Sequence, residues 1–329
     1  MLVAWYDICM EGAYDVITVG TATLDSFYPL PSDSFVCEAG AKLEVGAPLF
    51  ASGGGAVNAA ATFARQGLSC AALFRVGADR AGADIIADIE KEGIEAWDAE
   101  AKDEATGQSV ILLSPSGERT ILTHRGASES LPVSAVPFGK IKARWLYIAP
   151  SHIDPAVIGK IVNHAYAQGI AIALNPSAFY LASRGAHLKP LLSRVKMLMV
   201  NREEGAELTG VKREDERGIF RALDDMVDGI AVLTDGPRGS WVSDGTRLYQ
   251  AGIFPNQKIL DRTGAGDAFG SGFVAGMIGK EDIPYAIRLA SANAAANVEA
   301  VGAHAGILSR SAFEKSSRWK KFAIEIHAI

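Results

Sequence analysis

Short apolar runs separated by helix-like segments constrain this chain more than any other feature. Such alternation builds a parallel sheet with helices on both faces. From residue 69 onward the runs are Ala71 to Val76, Trp145 to Ile148, Ile170 to Leu174, Met197 to Val200 and Ile230 to Leu233. Between them lie helical patterns such as Pro155 to Gln168, stopped by Gly169, and Arg213 to Val227. Asp15 to Gly20 reads as the first strand. The alternation breaks twice. Residues from about 24 to 50 hold turn formers and short strand-like pieces, and Gln108 to Thr123 reads as a hairpin around Ser114-Pro115-Ser116-Gly117. Taken together, segments 24–50 and 106–125 form one small β lid over the strand ends, where ligands of such sheets bind. The expected fold class is α/β, with a mostly parallel central sheet. The length of 329 residues allows two domains, but no repeat or low-complexity linker divides the chain.

Composition narrows the function classes. Apolar residues make up 49% and charged residues 21%, enough for a large core, yet no run is long enough to span a membrane. Asp7 and Glu11 interrupt the apolar start, which argues against a secretory signal. The net charge of −6, with no basic block, makes nucleic acid a poor partner. Cys9, Cys37 and Cys70 are an odd number without metal spacing, and read as reduced thiols of a cytoplasmic protein.

The segment Asp261-Arg262-Thr263-Gly264-Ala265-Gly266-Asp267-Ala268-Phe269 carries the chemistry. Small residues at Gly264, Ala265 and Gly266 let backbone amides approach a ligand, and Phe269, Phe273, Val274, Met277 and Ile278 follow at helical spacing. A helix start of that kind favours an anion. Asp267 in the same place would repel a phosphate, so it is either a proton acceptor for an incoming hydroxyl or a helix cap. Gly53-Gly54-Gly55-Ala56-Val57-Asn58 opens an Ala-rich helix running to Arg65. It reads as a substrate floor or as a tight turn under the sheet. A dinucleotide fingerprint fits it poorly, because Asn58 stands where the third Gly or Ala belongs, and no Walker A sequence occurs. Asp25 follows the first strand as a sugar-hydroxyl acceptor or a surface turn residue. Asn201 and Glu204 begin a helix after Met197 to Val200, and Thr234 to Gly239 forms a turn before a hairpin, Ser240 to Tyr249. His124 and His152 read as polar structure. Glu118, Arg119, His124 and Arg125, on or beside the lid hairpin, read as solvated charges or as contacts to an acidic or phosphorylated substrate.

In order along the chain, Gly53 to Asn58, Asn201 to Glu204, Thr234 to Gly239 and Asp261 to Asp267 resemble the ribokinase-like (PfkB) family of carbohydrate and nucleoside kinases, over residues 14 to 310. The resemblance implies a ribokinase-like three-layer sandwich with a β lid, flanked by an N-terminal extension, 1–13, and a C-terminal tail helix, 311–329. It implies transfer of the γ-phosphoryl group of ATP to a hydroxymethyl group of a sugar, or alternatively of a nucleoside. Asp267 would be the general base, and Gly264, Ala265 and Gly266 the anion hole. Asp25, Gly53, Gly54 and Asn58 would bind the sugar. Asn201, Thr234, Gly236 and Gly239 would line the nucleotide, and Glu204 would act on Mg2+ through water. A monovalent cation such as K+ would sit near Asp261, Thr263, Asn297, Ala300, Gly302 and Gly306, where Gly306 replaces the Ser common in ribokinases. Ribokinases also carry an acidic sugar ligand near the end of the strand Leu146 to Ile148, where this chain offers Ser151 and His152. Phe27, Tyr28 and Phe35 would serve either to stack a base or to pack the lid. A homodimer could form through the exposed lid. A non-catalytic sensor and a nicotinamide-dependent dehydrogenase are the competing classes, disfavoured by Asp267 and by the imperfect glycine fingerprint respectively.

Overall fold

A computed structural model describes residues 13–34, 39–40, 42–255 and 258–328. The expected N-terminal extension, apart from Ala13, and Phe35, Cys9 and Cys37 lie outside these residues.

The chain enters as β1 (Tyr14–Val19), makes two lid strands, β2 (Thr23–Pro29) and β3 (Leu49–Gly53), and returns as helix α1 (Gly55–Arg65). Then follow β4 (Cys70–Phe74), α2 (Arg80–Lys91) and β5 (Glu95–Asp98), before the lid is completed by β6 (Gln108–Leu113) and β7 (Arg119–His124). The βα rhythm continues through β8 (Ala143–Ile148), α3 (Pro155–Ala167), β9 (Ala171–Leu174), α4 (Ala178–Leu188) and β10 (Met197–Asn201). Helices α5 (Arg202–Thr209) and α6 (Glu216–Met226) lead to β11 (Ile230–Thr234), then to the hairpin β12 (Ser240–Ser243) and β13 (Arg247–Ala251). Helices α7 (Ala265–Lys280), α8 (Ile283–Asn297) and α9 (Arg310–Lys315) precede a last strand, β14 (Ile324–Ala328).

The main sheet runs β14-β13-β12-β11-β10-β9-β8-β1-β4-β5, parallel from β5 to β11 and antiparallel beyond. Its central strands are apolar on both faces because helices cover both. One apolar cluster lies under α1, α2, α7 and α8, the other under α3 to α6. The lid is a second sheet, ordered β3-β2-β6-β7.

Helix α7 is buried from Ala268 to Gly276 and at Ile278, and lies close to its neighbours. A Cβ at Gly270 would collide with Met199, and one at Gly276 would reach to 2.9 Å from the Ala286 Cβ. A buried polar knot joins three helices. Ser271 Oγ donates to Thr62 Oγ1 (2.8 Å), and Asn293 Nδ2 donates to the Ala268 carbonyl (2.8 Å) and to Thr62 Oγ1 (3.3 Å).

The tail corrects the expectation of a helix over 311–329. Among the described residues the tail holds only the end of α9 and a 3-10 turn, Ser317–Trp319, as helix, and β14 pairs antiparallel with β13 to extend the sheet. Alternation in Ile324-Glu325-Ile326-His327 suits a strand. Between them Trp319, 4% exposed, meets Phe254 edge-on at 4.9 Å between ring centroids. Trp319→Ala is expected to cost about 3–5 kcal/mol, read as a lower urea midpoint with an unchanged m-value.

Candidate active site

The turn before α7 is tied down by one carboxylate. Asp261 is fully buried; its Oδ1 accepts from the Thr263 amide (2.9 Å) and hydroxyl (2.7 Å), and its Oδ2 accepts from the Gly302 amide (3.0 Å). Gly264 then takes a left-handed φ of 74° and caps the helix without a side chain. A Cβ there would collide with the Ala303 carbonyl, so glycine is required twice over. The first-turn amides of α7 have no intrahelical acceptor, and Gly266 borders a cleft of about 300 Å3.

Asp267 stands at the floor of that cleft. Gly264 is the cap, and the Asp267 carboxylate instead accepts from Asn58 Nδ2 (2.9 Å) and Asn175 Nδ2 (3.3 Å). Burial pushes its pKa above the usual aspartate value, and the Asn58 hydrogen bond pulls it part of the way back. A carboxylate held in this way is oriented and is a stronger proton acceptor than a solvated one. Asn58 reaches it from within α1, whose buried Ala-rich face packs on α7.

Asp25 is no turn residue. It lies in lid strand β2, 5% exposed, and accepts from Thr23 Oγ1 (3.0 Å). A Cβ at Gly53, which pairs with Thr23 on the facing strand, would collide with Asp25 Oδ2. Gly54, at φ 94°, closes against Thr21 as the chain turns into α1. The glycine run therefore makes room for a carboxylate and a close turn together. Phe27 is fully buried in the lid, and Tyr28 is half-buried.

On the other side of the cleft, Asn201 and Glu204 form a reciprocal capping box. Asn201 Oδ1 accepts from the Glu204 amide and Glu204 Oε2 from the Asn201 amide, both at 2.8 Å. Both residues and Thr234 line the cleft. Burial raises the Glu204 pKa, opposed by backbone amides. Gly236 and Gly239 stand beyond the lining residues. Gly236 opens a 3-10 turn at φ 52°, and Gly239, at φ 92°, packs against the Ala251 carbonyl. Just before them, Asp235 is clamped by Arg202 and Arg238, each at 2.6 Å.

At the end of β8, Ser151 lines the cleft in a left-handed conformation, φ 46°. His152 turns aside, stacks on Phe179 at 3.8 Å and lies 3.1 Å from both Ser151 Oγ and an Arg125 nitrogen. Burial, and next the Arg125 charge, hold its pKa below the ordinary histidine value.

The fold and this cleft meet a family signature over the matched span. Residues 15–310 match the pfkB family carbohydrate kinase model. The chain belongs to the pfkB family of carbohydrate kinases. It is 29% identical over 264 residues to a ribokinase of Haemophilus influenzae, spanning 78% of this chain and 84% of that one. An adenosine kinase structure from Sinorhizobium meliloti superposes with a TM-score of 0.79 at 23% identity, over 91% of this chain and 97% of the other. A ribokinase of Arabidopsis thaliana complexed with ribose and ATP gives 0.77 at 21%, over 94% and 99%. The pfkB protein is thus an ATP-dependent phosphotransferase, a sugar or nucleoside kinase, with the ribokinase fold. No helix among the described residues is long and apolar enough to cross a membrane.

Sequence reasoning passed over three residues of this pfkB site. Asn175 follows β9, donates to Asp267 and also to the buried Tyr147 hydroxyl (3.0 Å). The Asn-Pro pair after a strand was the available signal. Thr21, whose Oγ1 accepts from the Gly55 amide (3.1 Å), and His304 had no local signature.

Burial, the largest influence on Asp25, raises its pKa from 3.8 to about 6, with Asp261 adding to the rise. Between those values the unfolded chain loses this proton while the folded chain keeps it, so rising pH removes stability; below both values the group contributes nothing. Asp25→Asn should therefore gain on the wild type between pH 4 and 7 by on the order of 2 kcal/mol, measured by urea unfolding across pH. A difference independent of pH would overturn the account.

Proposed function

We propose that this protein is an ATP-dependent sugar kinase that moves the γ-phosphoryl group of ATP to a hydroxymethyl group of a small carbohydrate. The carrying observation is Asp267 on the cleft floor, fixed by two amides and one residue beyond the Gly264–Gly266 turn. Asp267 accepts the hydroxyl proton; the substrate oxygen bonds the γ-phosphorus while its bond to the bridging oxygen breaks and ADP departs. The amides of Gly264, Ala265 and Gly266 stabilise charge on the moving group. Asp25 accepts from sugar hydroxyls, Asn58 supplies polar contacts, and Gly53 and Gly54 let backbone come close. Lining residues such as Thr21, Gly55, Ser151 and Asn175 are small or polar and suit a sugar better than a stacked base.

Asn201 and Thr234 flank the nucleotide, with Gly236 and Gly239 in the adjoining loop. Glu204, drawn on by the Asn201 and Ala178 amides, lines the cleft where it would hold a water of Mg2+, which neutralises phosphate charge when bound. For a monovalent cation near Thr263, Ala300, Gly302 and Gly306, the supporting features are the fully buried Asp261 and the Asn297 Oδ1, which is buried without a hydrogen-bond partner among the described residues. At Gly306 a Cβ would collide with the Ala296 carbonyl, so a serine ligand does not fit here. The cytoplasm, which supplies ATP, agrees with the buried free thiol of Cys70.

An ADP-release assay across sugars and nucleosides, with and without K+, tests the reading. A sugar should give turnover that K+ increases, and Asp267→Asn should lower kcat by at least ~100-fold with ATP affinity retained. Silence across the panel, or near-normal kcat in the variant, would sink it. Turnover on nucleosides alone would place the alternative substrate class first.

We also infer a homodimer through the lid. Edge strand β7 is exposed throughout, and Phe50, Val110 and Leu122, aligned across the sheet on its outer face, are 60%, 36% and 58% exposed. Leu122→Glu should convert a sedimenting dimer to monomer; a wild type that sediments as a monomer at micromolar concentration refutes the interface.

A further inference from the structure

The Asn58 amide has two different ends, and its surroundings decide which faces where. The Asp267 carboxylate only accepts hydrogen bonds, so Asn58 must present Nδ2 to it. That turns Asn58 Oδ1 toward His304 Nδ1, 3.3 Å away, a contact that bonds only when Nδ1 carries the proton.

His304 is itself held from α1. Its carbonyl accepts from Arg65 (2.7 Å), whose guanidinium also makes paired bonds to Glu92 at 2.9 and 2.6 Å. Asn58 and Arg65 are seven residues apart, two helical turns on one face, so α1 grips both the ring and the backbone of His304. The preceding carbonyl, Ala303, backs the Gly264 turn. One short segment therefore touches both the carboxylate's partner and the anion turn. Burial, then the Arg65 charge, lower the His304 pKa, opposed by Glu92 and Asp88. A neutral ring at neutral pH still leaves the tautomer to be chosen, and Asn58 Oδ1 selects Nδ1–H.

We propose that His304 is a positioning residue for phosphoryl transfer: its Nδ1–H fixes the Asn58 amide so that Nδ2 donates to Asp267. The proposal rests on the kinase reading above. Without that donor the amide can rotate, the Asp267 carboxylate loses orientation, and its pKa rises because the Asn58 hydrogen bond lowers it.

Two measurements separate this proposal from the kinase reading. Nitrogen-15 NMR of the histidine ring in the unliganded full chain reads the tautomer without any turnover; Nδ1–H is expected, and Nε2–H overturns the proposal. With wild-type turnover established, His304→Phe should lower kcat about 10-fold, as loss of one orienting hydrogen bond does, and move the acid limb of kcat/KM to higher pH. His304→Gln, which keeps an N–H donor, should restore most of kcat. In an Asn58→Ala background His304→Phe should change nothing further. Unchanged kcat in His304→Phe, or effects that add fully to those of Asn58→Ala, would overturn the positioning role while leaving Asp267 as base intact.

Discussion

The depth at which helix α7 is buried sets the geometry of the rest. Its glycines bring it against β8, β10 and α8, where a methyl group at Gly270 or Gly276 would not fit. The polar knot of Thr62, Ser271 and Asn293 then locks its rotation about its own axis, because buried hydrogen-bonding groups cannot be left unpaired cheaply. Once α7 is fixed in depth and rotation, Asp267 can face only the cleft, and the N-terminal amides can face only the same space. The geometry of the cleft floor is a consequence of helix packing.

Three carboxylates near the cleft are raised by burial, Glu204, Asp25 and Asp267, and the surroundings of the last two differ. Asp25 draws on lid hydroxyls, Thr23 and Ser109, and sits on a strand of a small sheet. Asp267 draws on amides projecting from α1 and from the end of β9, both parts of the large domain. One carboxylate therefore belongs to the lid and the other to the core. Lid motion would change the distance between them without disturbing the orientation of Asp267.

The sheet was legible because its signal is local. Five apolar runs and their intervening helices follow from periodicity, and the lid hairpin from a Ser-Pro-Ser-Gly turn between two such runs. The glycine turns were legible for the same reason. For Asp25 the sequence left a surface turn open, because its strand belongs to a sheet assembled from two distant segments, and β2 pairs with β6 only in three dimensions. The tail strand β14 was missed although its residues alternate, since five residues at a chain end carry little pattern. Asn175 meets Asp267 across 92 positions and His304 meets Asn58, the partner of Asp267, across 246, so beyond the Asn-Pro pair after β9 nothing in their own neighbourhoods marks them.

On the proposed reading, a base beside an anion site poses an electrostatic conflict, since a carboxylate in the first turn of α7 would oppose the phosphate that the same turn attracts. Unit charges 4 Å apart repel by about 4 kcal/mol at an effective dielectric of 20. Three features of the site reduce that opposition. The helix dipole favours negative charge at this end and acts on both groups. The Asn58 and Asn175 amides draw the carboxylate's charge toward the protein, away from the amides of Gly264 to Gly266. The raised pKa brings Asp267 closer to accepting a proton, and that proton removes the repulsion as charge builds on the other side of the turn. The conflict is therefore greatest before proton transfer and smallest after it. An arrangement that is costly in the ground state is for that reason suited to the transition state.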